Sequence, residues 1–483
     1  MSDHEEKPHV AALGTPEPDP RVLRRALLKL DVIFLPAITI VYFLNFLDRS
    51  NIGNANAAGL SRDLGLTDKQ YSLALTTTYI PYIVAELPLT LAIKKIGPHI
   101  LIPTLVILWG LVTTFQGFIH NYPGLLAARF FLGATEGAIL PSSMTYLSSF
   151  YRRRDLAKRV AFFFSATSLA GAFSGLLAAA IINMHGLGGK KGWQWIFIIE
   201  GLVTVVYGAA AFGLLTRSPG TTWYLTPEER AAVVAALDRD RPAHGEEQKL
   251  TLSAVLSALK APQMWFMFAQ FFASGVLLYS MAFFTPTIVG TSLGYKGTKV
   301  QLYSVPPYVC SAAFALLSCF LSDRFSLRGP FVILASLVSV IGYAIFLSHD
   351  PKNPGHQHAL YAALFLQVMG AYTVAPLQST WMPNNLAPFY RRVTGITMGF
   401  ISTNSGGILS TWLFPKREAP HYKRGTSVSL GMAVSMIFWS VLNMLYLARE
   451  NRKRAKLAES ETEAFTEEDG ELGDRSAKFK YIL

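Results

Sequence analysis

Residues 31–58 read DVIFLPAITIVYFLNFLDRSNIGNANAA, and the length of this stretch and the two charges in its interior decide the fold class. The apolar run is long enough to cross a bilayer core of about 30 Å as one helix. Residues 1–20 before it are polar and carry four prolines, which predicts a disordered tail. They lack the charged start, short apolar core and small-residue cleavage site of a secretory signal, so the helix is expected to be retained. Asp48 and Arg49 sit side by side inside it, where a charge is costly unless it faces a cavity or a partner.

Working outward, apolar runs of similar length recur near 71–93, 100–120, 122–150, 158–183 and 193–216. After a polar gap they resume near 263–289, 300–321, 329–348, 357–382, 393–415 and 426–448. Six spans, a loop and six spans predict an all-α membrane protein of twelve transmembrane helices in two pseudo-symmetric bundles. The expected organisation is a tail over 1–30, bundles over 31–216 and 263–448, a linker over 217–262 and a second tail over 449–483. Composition agrees. Only 15% of the 483 residues are charged, against about 25% in soluble domains, and mean hydropathy is +0.33. Disorder, collagen-like repeats and a disulfide scaffold are excluded.

The net charge of +12 suits either nucleic-acid binding or a topology signal, and the positions of the cations decide. Of 43 Lys and Arg, 30 fall on the side of the two termini and 11 on the other, which leaves Arg49 and Arg129 inside spans. Both termini are therefore expected in the cytoplasm, and no nucleic-acid partner is needed. Lys416, Arg417, Lys423 and Arg424 break the bias; they form either an anion-attracting lip or a loop that topology tolerates. In the linker, Thr226-Pro227-Glu228-Glu229 places a capping Thr, Pro at the first helical position and Glu three residues after the cap. It predicts a helix to about Asp240, with a second near 250–260. Short basic loops after spans two (Lys94, Lys95) and eight (Asp323, Arg324, Arg328) suggest an internal duplication.

The charges inside spans are Asp48, Arg49, Glu86, Arg129, Glu136 and Glu200, all in the first half. The second half offers Tyr279, Gln367, Gln378 and Asn404 instead. Arg129 and Glu136 lie two turns apart on one helix face, about 10 Å along the axis, too far to pair directly. An ionised Glu136 can hold an arginine and, once protonated, free it for an anionic substrate; the competing reading is an ion-pair network that braces helices. Arg49, one turn after Asn45, either offers its guanidinium to a carboxylate or snorkels to the membrane surface. Glu86 and Glu200 are expected near helix ends, paired with loop arginines, and Asp48 is expected to pair across helices. Gly133-x-x-x-Gly137 and Gly171-x-x-x-Gly175 suggest that spans four and five pack closely on each other. Pro141, Pro286 and Pro376 mark kinks.

Cys310 and Cys319, nine positions apart in one run, point to opposite faces and are expected to be packing residues that cannot pair. His349, His356 and His358 share one loop, which binds a metal or is simply polar and flexible. No metal-ligand cluster, nucleophile elbow or phosphate loop suggests an enzyme or a cofactor, and no Asn-x-Ser/Thr sequon is present.

Phe46 to Ala55 (FLDRSNIGNA) resembles the first-helix signature of the fungal anion:cation symporters of the major facilitator superfamily. Further matches are Arg129 to Pro141 (RFFLGATEGAILP), residues 163–181 (FFSATSLAGAFSGLLAAAI) and Gly192 to Gly201 (GWQWIFIIEG). Leu293-Gly294-Tyr295, Val305 to Tyr308 (VPPY) and Asn404 to Ile408 (NSGGI) extend the resemblance over all twelve spans. Residues 129–201 look most like the nicotinate-permease branch. The resemblance implies two bundles rocking about a central site and carrying small organic anions with protons, among them nicotinate, allantoate and pantothenate. It also implies that Arg49, matching a first-helix arginine of animal relatives, binds the substrate carboxylate, and that Arg129 with Glu136 couples the proton. The superfamily's basic loop motif is degenerate at Lys94-Lys95 and better kept at Asp323, Arg324 and Arg328.

The expected function is therefore proton-coupled symport of a small carboxylate by alternating access. Arg49, Asn45, Tyr279, Gln367, Gln378 and Asn404 would bind substrate, and Glu136 with Arg129 would couple the proton. Asp48, Glu86, Glu200, Asp323, Arg324 and Arg328 would serve gating or structure. A monomer in the plasma membrane is expected, with the lipid bilayer, a proton and a small organic anion as its partners. The alternatives are an exporter of a fungal metabolite and a nutrient sensor that no longer transports.

Overall fold

The computed structural model describes residues 19–240, 259, 261–387, 389–460 and 479–482, and among them there is no strand. The first span is longer than its apolar run. Helix α1 (Pro20–Val32) bends at Ile33 into α2 (Phe34–Ala57), where Pro36 lacks the N–H that would bond back to Val32. Residues 20–30, assigned to the tail by composition, are therefore helical: Asp19 caps α1 by accepting from the Arg21 amide. After the short α3 (Leu60–Asp63), α4 (Asp68–Ile96) starts on a capping box of Thr67 and Gln70. The rest of the first half is α5 (Pro98–Gln116), α6 (Tyr122–Glu136), α7 (Ile139–Phe150), α8 (Arg153–Ile181) and α9 (Gly192–Leu214). The fourth span, expected unbroken over 122–150, is thus two helices. Pro141 cannot donate to the Gly137 carbonyl and its ring crowds it, so the helix stops at Glu136 and restarts.

The linker helix α10 (Pro227–Asp240) forms as its capping residues require: the Glu229 amide donates to the Thr226 hydroxyl and the Thr226 amide to Glu229 Oε2. Lys29 of α1 adds a 2.7 Å ion pair to the same carboxylate. Burial alone would raise the Glu229 carboxyl, but the Lys29 ammonium and the Thr226 amide outweigh it and hold it below its ordinary value. The second linker helix expected near 250–260 falls almost wholly outside the described residues.

The second half comprises α11 (Pro262–Thr291), α12 (Thr298–Phe325), α13 (Gly329–Ser348), α14 (Gln357–Asn384), α15 (Phe389–Ser410) and α16 (Lys423–Ser460). Nine of the described helical stretches are long and apolar enough to cross a membrane, with α1 and α2 taken as one. The packing repeats between halves. In the first, α5 lies on α9, α2 on α8, and α4 on α6; in the second, α13 lies on α16, α11 on α15, and α12 on α14. This pairwise correspondence is the duplication that the basic loops hinted at.

Small residues set the close approaches, though not between spans four and five as expected. A β-carbon at Gly133 would overlap the Thr78 carbonyl and one at Gly137 the Tyr82 carbonyl, so α6 is pressed onto α4. Gly171 and Gly175 instead admit Tyr308 and Val305 of α12, across the halves. A small-residue stripe identifies a surface of close approach but not what approaches it. Toward the end of the molecule away from the termini, the Gln301 amide bonds the Asn54 carbonyl at 3.3 Å. There too the Thr76 and Thr411 hydroxyls meet at 2.8 Å, Trp412 donates to Thr76 at 3.1 Å, and the Arg417 amide donates to Asp68 at 3.2 Å.

Candidate functional site

Helix α2 runs between the bundles, and its two charges point opposite ways. Asp48 turns into the first half, where its Oδ2 accepts from Trp109 of α5 and Thr204 of α9, both at 2.9 Å. It does pair across helices, but with neutral donors. Arg49 turns to the middle of the molecule and is only 5% exposed, so it does not snorkel. Its Nε and Nη2 donate to Oε2 of Glu136 at 3.1 and 2.9 Å. Its Nη1 donates to the Tyr279 hydroxyl of α11 at 2.9 Å, and that hydroxyl donates to Asn404 Oδ1 of α15 at 3.1 Å. One guanidinium thus joins a carboxylate of the first half to a neutral pair of the second.

The local fold explains how these groups meet. The break at Gly137 puts Glu136 at the end of α6, and the two glycines seat that end on α4. Tyr82 of α4 then lies against the guanidinium, its ring centre 4.4 Å from Arg49 Cζ, a cation–π contact of about 0.5–2 kcal/mol. Tyr279 stacks on Phe283 at 6.0 Å, meets Tyr79 edge-on at 5.2 Å and faces Phe46 at 6.5 Å. The result is an aromatic enclosure around a single buried ion pair. Glu136 is fully buried, and its Oε1 has no hydrogen-bond partner.

Other expected site residues are distributed differently. Arg129 is buried two turns before Glu136, with Cζ 5.8 Å from the Phe197 ring centre and with Nε and Nη2 unbonded. Among the described residues no carboxylate lies within ion-pair distance of it, so Glu136 holds Arg49 rather than its helix neighbour. Glu200, expected near a helix end, is buried inside α9 and accepts from Asn51 of α2; Asn51 in turn accepts from Ser174 of α8 at 3.2 Å. Glu86 likewise lies in the interior of α4, buried, one turn beyond Tyr82. Asn45 is buried with its Nδ2 unbonded.

Two expected ligand residues do not join Arg49. Gln367 donates to the Gly342 carbonyl at 3.3 Å and so ties α14 to α13, a helix–helix role that serves a buried amide equally well. Gln378 is buried in α14 with neither amide atom bonded. Asp323 pairs with Arg328, which also reaches Ser322 at 3.1 Å, while Arg324 is exposed. Cys319 is buried, as a packing residue should be, whereas Cys310 is exposed; both are free thiols. His349 and His356 stack edge-on at 4.9 Å, but among the described residues no group of three or more His, Cys, Asp or Glu is placed to hold a metal. Tyr82 was missed, although Tyr79, Tyr82 and Glu86 recur at helical spacing on one face of α4.

Comparison with known proteins gives the architecture a family. Residues 38–411 match the Major Facilitator Superfamily. An uncharacterised transporter of Schizosaccharomyces pombe is 36% identical over 458 residues, 95% of this chain and 90% of its own. The high-affinity nicotinic acid transporter of Saccharomyces cerevisiae is 30% identical over 472 residues, 97% of this chain and 86% of its own. The crystal structure of a bacterial homologue of the human lysosomal transporter Spinster superposes with a TM-score of 0.63 at 17% identity, covering 85% of this chain and 96% of that one. Relatives and fold alike are those of transporters and not of enzymes: the chain is a multi-pass membrane transporter and belongs to the Major Facilitator Superfamily.

Proposed function

We propose that this transporter carries a small organic anion, a carboxylate, together with a proton, and that the two ligands exchange at Arg49. The observation that carries the reading is the enclosed guanidinium shared between Glu136 and Tyr279. A buried ion pair that loses one partner is left with an uncompensated charge costing about 3–5 kcal/mol. Protonating Glu136 therefore creates a strong demand for another anion at Arg49. A carboxylate meets it, because its two oxygens match the guanidinium fork. Conversely, a carboxylate arriving while Glu136 is ionised would put two anions on one cation. Proton and anion thus enter as a neutral pair, and the charge of the site is the same loaded and empty.

Tyr279 and Asn404 give the second half its grip on the same cation. Rearrangement around Arg49 on loading would be felt by α11 and α15, which supports alternating access by rocking of the halves. With both termini in the cytoplasm and the protein in the plasma membrane as a monomer, the contacts among Asn54, Gln301, Thr76 and Thr411 close the external face. The conformation is then closed to the outside, with Arg49 and Glu136 buried. The likeness to a nicotinic acid transporter makes nicotinate the first substrate to try, with allantoate and pantothenate after it. The test is uptake of a labelled carboxylate panel in transporter-deficient cells at acid and neutral pH. Acid-stimulated uptake that Arg49→Ala abolishes supports the reading; efflux without uptake, or no movement of any carboxylate, overturns it.

A further inference from the structure

Far from Arg49, residues 479–482 return to the terminus-side end of the second half and occupy a site that looks built for them. Two asparagines read the segment's backbone reciprocally. Asn451 of α16 donates to the Tyr481 carbonyl and accepts from the Tyr481 amide, both at 2.9 Å. Asn385, just past α14, donates to the Ile482 carbonyl at 2.9 Å and accepts from the Ile482 amide at 2.8 Å. Arg454 adds side-chain recognition. Its guanidinium lies 4.3 Å from the centre of the Tyr481 ring, Nη2 donates to the Tyr481 hydroxyl at 2.9 Å, and Nη1 donates to the Phe479 carbonyl at 2.9 Å.

Two features indicate that the host needs this occupant. Trp381 is fully buried, and its indole N–H bonds the Ile482 carbonyl at 2.9 Å; without the segment a buried donor would lose its acceptor, a cost well above that of an ordinary lost hydrogen bond. The contacted end of α14 is also intrinsically weak, because Pro376 and Pro383 each remove a backbone donor from its last turns. Trp381 and Asn385 straddle Pro383, so the segment bonds the helix where its own ladder is interrupted. Gln263 of α11 holds the same place from the other side, donating to the Asn385 carbonyl at 3.4 Å.

We propose that the segment Phe479–Ile482 is an intramolecular ligand of a site made by Trp381, Asn385, Asn451 and Arg454, and that its docking clamps the proline-weakened end of α14 to α16. The four residues that make the site all belong to the second half, so the clamp stiffens one of the two rocking bodies. The selectivity is for an extended peptide whose aromatic residue lies under the Arg454 guanidinium.

The test compares the full chain with one shortened to residue 478, both purified in detergent, by hydrogen–deuterium exchange. Shortening should speed exchange over residues 377–385 by about tenfold or more, as expected for loss of a local clamp, and leave α5 unchanged. A labelled synthetic peptide of residues 476–483, SAKFKYIL, should bind the shortened chain and restore slow exchange. Asn385→Ala with Asn451→Ala in the shortened chain should abolish that binding, and Tyr481→Ala in the peptide should weaken it at least about tenfold. The proposal is overturned if the peptide does not bind, if the double variant binds it as well as its parent, or if exchange over 377–385 is the same in both chains.

Discussion

Glu136→Gln is the substitution on which the exchange at Arg49 stands or falls. Glutamine keeps an oxygen near the position that now accepts from Nε and Nη2 at 3.1 and 2.9 Å, so the geometry survives while the charge goes. If substrate binds only when the carboxylate is protonated, wild-type affinity must fall tenfold, about 1.4 kcal/mol, for each pH unit above the range in which Glu136 titrates. Across two such units the apparent Kd rises about 100-fold. In Glu136→Gln that dependence disappears and binding stays at its acid-side strength, because the amide mimics the protonated carboxyl. The variant also leaves Arg49 buried without its counter-ion, at about 3–5 kcal/mol, and should melt earlier than wild type. A carboxylate at 100 times its Kd returns about 2.7 kcal/mol, so ligand should rescue most of the lost stability. The assay is equilibrium binding and thermal unfolding of purified protein from acid to neutral pH, with a probe carboxylate that remains ionised throughout. A Glu136→Gln variant that keeps the tenfold-per-unit slope would refute the reasoning.

Tyr279→Phe removes the one hydroxyl that joins Arg49 to Asn404; a hydrogen bond to a charged group is worth about 1.5–3 kcal/mol, so uptake kinetics should show KM at least about tenfold higher. Gly133→Ala should lower the unfolding temperature and the yield of folded protein, because its β-carbon overlaps the Thr78 carbonyl; Gly431→Ala, with nothing within 4 Å, should be neutral or gain about 0.5–1 kcal/mol in helix propensity. Glu229 is held below its ordinary value, so its contribution is present at neutral pH and is lost as pH falls through that lowered folded value. Thermal unfolding of Glu229→Gln should therefore lie below wild type at neutral pH, with the gap closing toward acid.

The spans were legible because a membrane demands about 20 apolar residues at a time, and the important charges because lipid tolerates so few. Azimuth was not legible. Glu136 was visible as a carboxylate able to hold an arginine, but which arginine depends on how α2 and α6 are rotated about their axes, and that is set by packing. Gln367 shows the same limit: a lone amide in an apolar helix serves a ligand or a neighbouring carbonyl equally well, and here it serves Gly342. The break after Glu136 was readable in part, since Pro141 announces a kink. What the kink does, ending α6 where its last carboxylate meets Arg49, follows only once α4 is known to be the helix beneath it.

The unequal share of charge between two similar halves has a mechanical consequence. Asp48, Arg49, Glu86, Arg129, Glu136 and Glu200 all lie in the first half, while the second meets Arg49 through the neutral hydroxyl of Tyr279. Had the carboxylate partner stood on α11, every rocking movement that parted the halves would have split a buried ion pair, at about 3–5 kcal/mol. Parting Arg49 from a hydroxyl costs about 1.5–3 kcal/mol at most, and a water molecule can replace it. Keeping the ion pair within one half therefore separates two tasks. On the proposed mechanism, charge exchange would take place inside one body, and the joint between the bodies would be a contact weak enough to break in each cycle. Moving the pair across the joint, with Glu136→Gln combined with Tyr279→Glu, should leave binding of a carboxylate competitive with the new glutamate but slow turnover by about tenfold or more in counterflow. Turnover unchanged from wild type in that double variant would show that the joint does not limit the cycle.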